Sequence, residues 1–316
     1  MTWRAELNRV VTWRIKQAVR RWAPHCPSLA LLIAELLGRA GSFARLVGPH
    51  PTEVESLLGC SRDVARSAVA TIAATNLKSF VFASLPHQTR CKLVHLVGGD
   101  LLREHRPAVV VFWHSIGPPH GGLSAALSKL DMPYQIAVRS LSGGGGPNLS
   151  PLGNAAARRD FLQIATETLR SGGLVVLAGD GHGSDKAVPL DLFGQTAHLP
   201  RGPAVLSRVC GARVLPAVCQ FRGLRVQVQI HPPIRASAER TRPDPRAEHG
   251  EGRRYGADRD TMIEIGRWFE AYLRSHPDQL RCANGMMRIR NSSRSLMPHL
   301  FESGRVADTE GTTGPA

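Results

Sequence analysis

A chain of 316 residues and 34.3 kDa with 42% hydrophobic residues can bury a substantial core, as one large domain or one domain with appendages. A formal net charge of +15 calls for a polyanionic partner, and 5% aromatics with no zinc-finger or RNP-type motif point away from nucleic acid and towards an anionic membrane surface or an acidic substrate. The six cysteines are scattered without a CxxC pair, which speaks against a zinc site or a disulfide framework and for reduced thiols.

At the N-terminus, Trp3, Leu7, Val10, Val11, Ile15, Ala18 and Trp22 recur at spacings of three and four, with Arg4, Arg9, Lys16, Arg20 and Arg21 mostly on the other side. That pattern predicts a basic amphipathic helix suited to a membrane interface, and no cleavable signal peptide. Pro24 and Pro27 interrupt it, and a second helix follows through residues 29–37. This is the most apolar early segment, but it contains Glu35 and is far shorter than the ~20 residues a bilayer span needs. A short helix is expected around 54–58, and Ser61 can cap a longer one carrying Val64, Ala68, Ile72, Asn76 and Phe80. The first hundred residues are therefore expected to be helical and to precede the first strand.

From residue 108 the pattern turns to alternating strands and helices. Residues 108–113 are a Val-rich apolar run that reads as a strand buried on both faces, ending at His114 in a Gly- and Pro-containing turn. A helix through Leu123, Ala126, Leu127 and Leu130 follows, then a strand at 134–138 and a loop with four glycines at 143–146. Next come a helix at 154–169, a buried strand at 174–178, a helix at 204–209, strands at 213–221 and 226–230, and a last helix from about Arg259. The fold class is thus α/β: a central mixed sheet flanked by helices and preceded by a helical N-terminal region. Residues 1–58 read as a basic membrane-facing segment, 59–284 as the α/β domain and 285–316 as a disordered tail.

Two buried strands end in polar residues among glycines, His114 and Asp180, the arrangement by which open α/β sheets form a shared crevice. The turn at Gly181, the segment around Gly194 and the helix start after Arg201 are candidate anion-binding elements. His120–Gly121–Gly122 with Ser124 offers a competing reading, the oxyanion loop and nucleophile of an α/β-hydrolase, although no GxSxG is present.

The order of strand–His114, Arg139, "LRSGGLVVLAGDGHGSD", "LFGQTAHLPRGPAVLSRVCGARVLPAV" and the closing "RWFEAYLRSHPDQLR" resembles the lysophospholipid acyltransferase superfamily, and within it the late lipid A biosynthesis acyltransferases. The resemblance spans roughly residues 60 to 282. It implies transfer of a fatty acyl group from acyl carrier protein or acyl-CoA to a hydroxyl of a phosphorylated lipid or glycolipid, with no cofactor or metal. It also implies peripheral placement on the cytoplasmic face of the inner membrane. His114 occupies the place of the family's general base, with Arg139 and Arg201 for phosphates and backbone N–H groups near Gly117 or Gly181 for the oxyanion. Five positions after His114, where the family carries the acid of its dyad, stands Pro119. His120 or Asp180 is then the candidate partner of His114. The alternative is a scaffold that has lost catalysis and binds anionic lipid.

Overall fold

The computed structural model describes residues 17–40, 49–114, 116–138, 148–152, 154–180, 187–234 and 251–280. Most of the amphipathic N-terminal stretch, the glycine run at 143–146 and the expected tail lie outside these residues; 17–22 are helical.

After the helical residues 17–22 come α1 (Pro27–Arg39), α2 (Pro51–Leu58), α3 (Arg62–Ser84) and α4 (His87–Leu93). The Ser61 hydroxyl caps α3 as its sequence predicts, accepting the Val64 N–H at 3.4 Å. The first strand, however, is not the one at residue 108. It is β1 (Val94–Val97), four residues at the sheet edge, too short for its alternation to stand out from the helical run before it. The chain continues through α5 (Gly99–Glu104), β2 (Ala108–Phe112), α6 (Pro119–Leu127), β3 (Tyr134–Val138), β4 (Leu149–Pro151), α7 (Ala155–Arg170) and β5 (Leu174–Ala178). A hairpin follows, β6 (Val188–Leu192) and β7 (Gln195–Leu199), then α8 (Gly202–Cys210), β8 (Arg213–Arg222), β9 (Arg225–Ile230) and α9 (Glu251–Ser275). Helix α9 starts ahead of Arg259, because its first residues include two glycines and little apolar periodicity to announce it.

The seven-stranded sheet has the order β1-β9-β8-β2-β5-β3-β4. Strands β8, β2, β5, β3 and β4 are parallel, while β9 runs antiparallel to β8 and parallel to β1. The sheet is mixed and helix-flanked, with the N-terminal helices leading into it. Strand β2 lies between β5 and β8 and is buried throughout. Its side chains alternate between two cores: Val109, Val111 and Trp113 on one face, Ala108, Val110 and Phe112 on the other.

Helix α1 is fastened to α3 at close range. A Cβ on Gly38 would fall 2.2 Å from the Ala74 Cα, so the two backbones touch there. The Glu35 carboxylate bonds the ammonium of the largely buried Lys78 and the Arg39 guanidinium across the same junction. Burial pushes the Glu35 pKa up, but these two cations more than offset it and leave it below its ordinary value. A depressed carboxylate contributes stability above its unfolded pKa and loses it as pH falls through the folded one. Gly38→Val should therefore lower stability by about 1–3 kcal/mol in thermal or urea melts. Glu35→Gln should flatten the fall of Tm between about pH 5 and pH 3 relative to the wild type.

Candidate active site

The site is built by strand register. Phe112 pairs with Ala178, and the Gly179 N–H donates to the Phe112 carbonyl at 2.8 Å, so β2 and β5 run out of the sheet side by side. Gly179 has no room for a side chain: a Cβ would come within 2.8 Å of Val111 Cγ1 and 2.9 Å of Trp113 Nε1. Passing close over the Trp113 indole, the chain delivers Asp180 to the residue that follows Trp113. The Asp180 Oδ1 accepts two hydrogen bonds from His114, from its backbone N–H at 2.8 Å and from ring Nδ1 at 2.9 Å. Asp180 is 0% exposed and the His114 side chain 32% exposed, so the carboxylate is enclosed while the imidazole reaches solvent. An ionised carboxylate on Nδ1 places the ring proton there and makes Nε2 the basic nitrogen, the arrangement of an oriented general base.

His114 lies on the Phe112 side of the sheet, with ring centroids 5.3 Å apart in an edge-on contact. On the opposite side, Trp113 stacks on Phe269 of α9 at 4.9 Å and meets Phe193 of the β6–β7 turn edge-on at 6.4 Å. This aromatic wall braces the residue next to the histidine, and nothing in the local spacing of Trp113 reveals it.

The loop after His114 is held against β8. Gly117 has φ of 57°, and a Cβ there would fall 1.6 Å from the Cys219 carbonyl oxygen, so only glycine fits. Burial pushes the Cys219 thiol pKa up, so this residue behaves as a small apolar group rather than a nucleophile. Pro119, at the place of the expected acid, is the first residue of α6, where a missing N–H costs nothing.

The other sequence candidates fall as follows. Arg139 and Gly181 lie outside the described residues, as does the side chain of His120. Gly194 is the second residue of the two-residue β6–β7 turn, with φ of 73° after Phe193 at 54°, a turn that favours glycine at that position. Arg201 precedes α8, whose first residue, Gly202, abuts Leu177 on the Trp113 side of the sheet. Gly194 and Arg201 thus belong to the layer opposite the His114 ring. The hydrolase reading is overturned: Ser124 is buried within α6, and Gly121 and Gly122 are helical, packed against Arg90, Phe82 and Cys219. Among the described residues no group of three or more His, Cys, Asp or Glu is placed to hold a metal ion.

Residues 147–279 match the family model described as bacterial lipid A biosynthesis acyltransferase. Over that stretch, less than half of the chain, the sequence is similar to acyltransferases of this family. The matched stretch contains Asp180 and begins after His114, which lies outside it. Phosphatidylinositol mannoside acyltransferases from two strains of Mycobacterium tuberculosis are 30% identical over 80 residues. That alignment takes in 25% of this chain and spans only 25% of each relative's length. The solved 1-acyl-sn-glycerophosphate acyltransferase of Thermotoga maritima is 15% identical, with 81% of this chain and 98% of that one covered. Its TM-score of 0.34 is too low to show a shared fold.

Because Gly117 is wedged under a backbone carbonyl, Gly117→Ala should destabilise the chain by at least about 2 kcal/mol, measured as a fall in thermal midpoint.

Proposed function

We propose that the chain catalyses O-acyl transfer from a thioester, carried by acyl carrier protein or coenzyme A, to a hydroxyl of a phosphorylated lipid or glycolipid. The observation that carries this reading is the hydrogen-bonded pair of His114 and the enclosed Asp180 at the ends of two neighbouring parallel strands. His114 Nε2 removes the proton from the acceptor hydroxyl as its oxygen bonds to the thioester carbonyl carbon. Asp180 holds the ring in the Nδ1–H tautomer and stabilises the imidazolium that forms. The tetrahedral adduct then collapses with rupture of the C–S bond, and the thiolate takes the proton back from His114. Ester and free thiol are the products. Backbone N–H groups near Gly117 or Gly181 are assigned to the oxyanion and Arg139 to phosphate groups, while Arg201, in the layer opposite the His114 ring, is left out of that role.

Asp180 does from β5 what the family's acid, replaced here by Pro119, does from the His loop itself. The net charge of +15 suits both an anionic leaflet and an acidic carrier protein. Peripheral association fits the described helices, none of which is long and apolar enough to cross a membrane.

The test is transfer of labelled acyl groups from acyl-CoA and acyl carrier protein donors to phosphorylated lipid acceptors by the full chain. The wild type should transfer label, and His114→Ala should lose at least about 10³-fold in kcat. Asp180→Asn should cost about 10²–10⁴-fold in kcat with little change in KM. If His120→Ala costs as much and Asp180→Asn costs little, the imidazole is the partner instead. Wild-type protein that transfers from no donor yet binds anionic vesicles would establish the lipid-binding scaffold in place of the enzyme.

A further inference from the structure

A second group of titratable rings lies where the end of β9 meets α9. His231 follows β9 directly, and its backbone N–H donates to the Pro216 carbonyl of β8 at 2.9 Å, which fixes the residue over the sheet. Its ring meets Trp268 edge-on at 4.8 Å and Tyr272 at 6.1 Å, both from α9. Trp268 and Tyr272 are stacked at 5.6 Å, and Tyr272 is stacked on His276 at 4.5 Å. Two imidazoles thus flank the aromatic seam by which the last turns of α9 lie on the sheet.

The seam suits a neutral His231 and not a charged one. Among the described residues its Nε2 is buried with no hydrogen-bond partner. In the neutral ring with its proton on Nδ1, that atom is a bare lone pair, whereas protonation places an N–H there with nothing to accept it. Burial, and then a charge on His276, push the His231 pKa below its ordinary value. Among the described residues the other charges near the seam, Arg222 and Asp278, act on Tyr272, as does the Cys219 thiol. Burial pushes the Tyr272 pKa up to about 12, so this hydroxyl supplies His231 with no anion.

The end of α9 also supports the turn after His114. Beyond His276, Leu280 forms an antiparallel bridge with Ile116, and both are buried in the core that holds Trp113. Further back on the helix, Trp268 meets Phe269 edge-on at 4.8 Å, and Phe269 is stacked on Trp113. We propose that His231 is a proton-sensitive latch: neutral, it seats the end of α9 on the sheet, and protonated, it releases that end together with the Leu280–Ile116 bridge beside His114. A group held neutral in place and free to titrate once released favours release as pH falls below the ordinary imidazole value of ~6.5. Slower transfer in that range is the consequence for turnover and rests on the acyl-transfer reading; the latch itself does not.

The experiment is hydrogen exchange of the full chain, read by mass spectrometry at about pH 7.5 and about pH 5.5 and compared at matched intrinsic exchange rates. The peptide containing Ile116 and those covering 268–280 should open about three- to tenfold more often at the lower pH, the range one proton gives about one pH unit below ~6.5. Peptides covering β5 should not change. His231→Phe, which fills the slot without titrating, should remove the acceleration. His231→Gln, smaller and equally unable to titrate there, should remove it too, so a packing defect in one variant does not hide the result. His114→Ala should keep the wild-type ratio, and its loss there would assign the effect to His114 and overturn the proposal. Acceleration below about twofold in the wild type, or acceleration retained in a folded His231 variant, would overturn it as well. So would acceleration spread over the whole chain, which is global unfolding and not the release of one end.

Discussion

One carboxylate oxygen organises the site. Asp180 Oδ1 accepts both the backbone N–H and the ring Nδ1 of His114, which joins the end of β5 to the end of β2 and fixes an imidazole that would otherwise turn freely. A carboxylate with no exposure to water is costly unless hydrogen-bonded, and the two donors from one residue meet that need. The same bonds fix the ring orientation, so the group that stabilises the turn is also the one that sets the imidazole's tautomer. With the carboxylate that meets His114 coming from the end of the neighbouring strand, the loop after His114 supplies none, and a proline begins α6 there.

The alternation of β2 sorts the neighbourhood into two faces. Trp113 turns to one side and is clamped by Phe269 and Phe193, while His114 turns to the other beside Phe112. The hairpin β6–β7 and helix α9 thus act on the site indirectly, by bracing the indole next to His114. Phe193 is set by the Glu270 carboxylate, which accepts its backbone N–H at 3.1 Å. Backbone contacts at Gly117 and Gly179 leave the two turns little freedom to shift relative to β8 and β2.

Helix α1 adds a different constraint. The buried Lys78 bonds Glu35, donates to the Gly223 carbonyl at 3.3 Å and lies 4.7 Å from the centre of the Phe221 ring. Helix α1 is thereby joined through α3 to the β8–β9 turn. A cation with this little exposure would be strongly unfavourable without such partners, so the junction specifies one seat for the helix. Its exposed Leu32 and Leu36 consequently lie on a defined surface rather than a frayed end.

Much of this was legible in the sequence where a local signal existed. The Val-rich run before His114, the strands at Tyr134–Val138 and Leu174–Ala178, the Ser61 cap and the glycine-flanked polar residues at two strand ends all follow from periodicity and turn chemistry, and together they give the α/β class and nominate His114 and Asp180. What the sequence could not state was that β2 and β5 are adjacent and in the register that sets Phe112 against Ala178, since sixty-odd residues separate them and strand pairing leaves no mark on either strand alone. Nor could it distinguish a glycine that serves a ligand from one that serves a hairpin, as at Gly194, or an apolar helix face that is buried from one that is bare, as on α1. The sequence nominated the candidate residues and the elements they end; only the tertiary structure decided which of them meet, because contact depends on how separate elements pack.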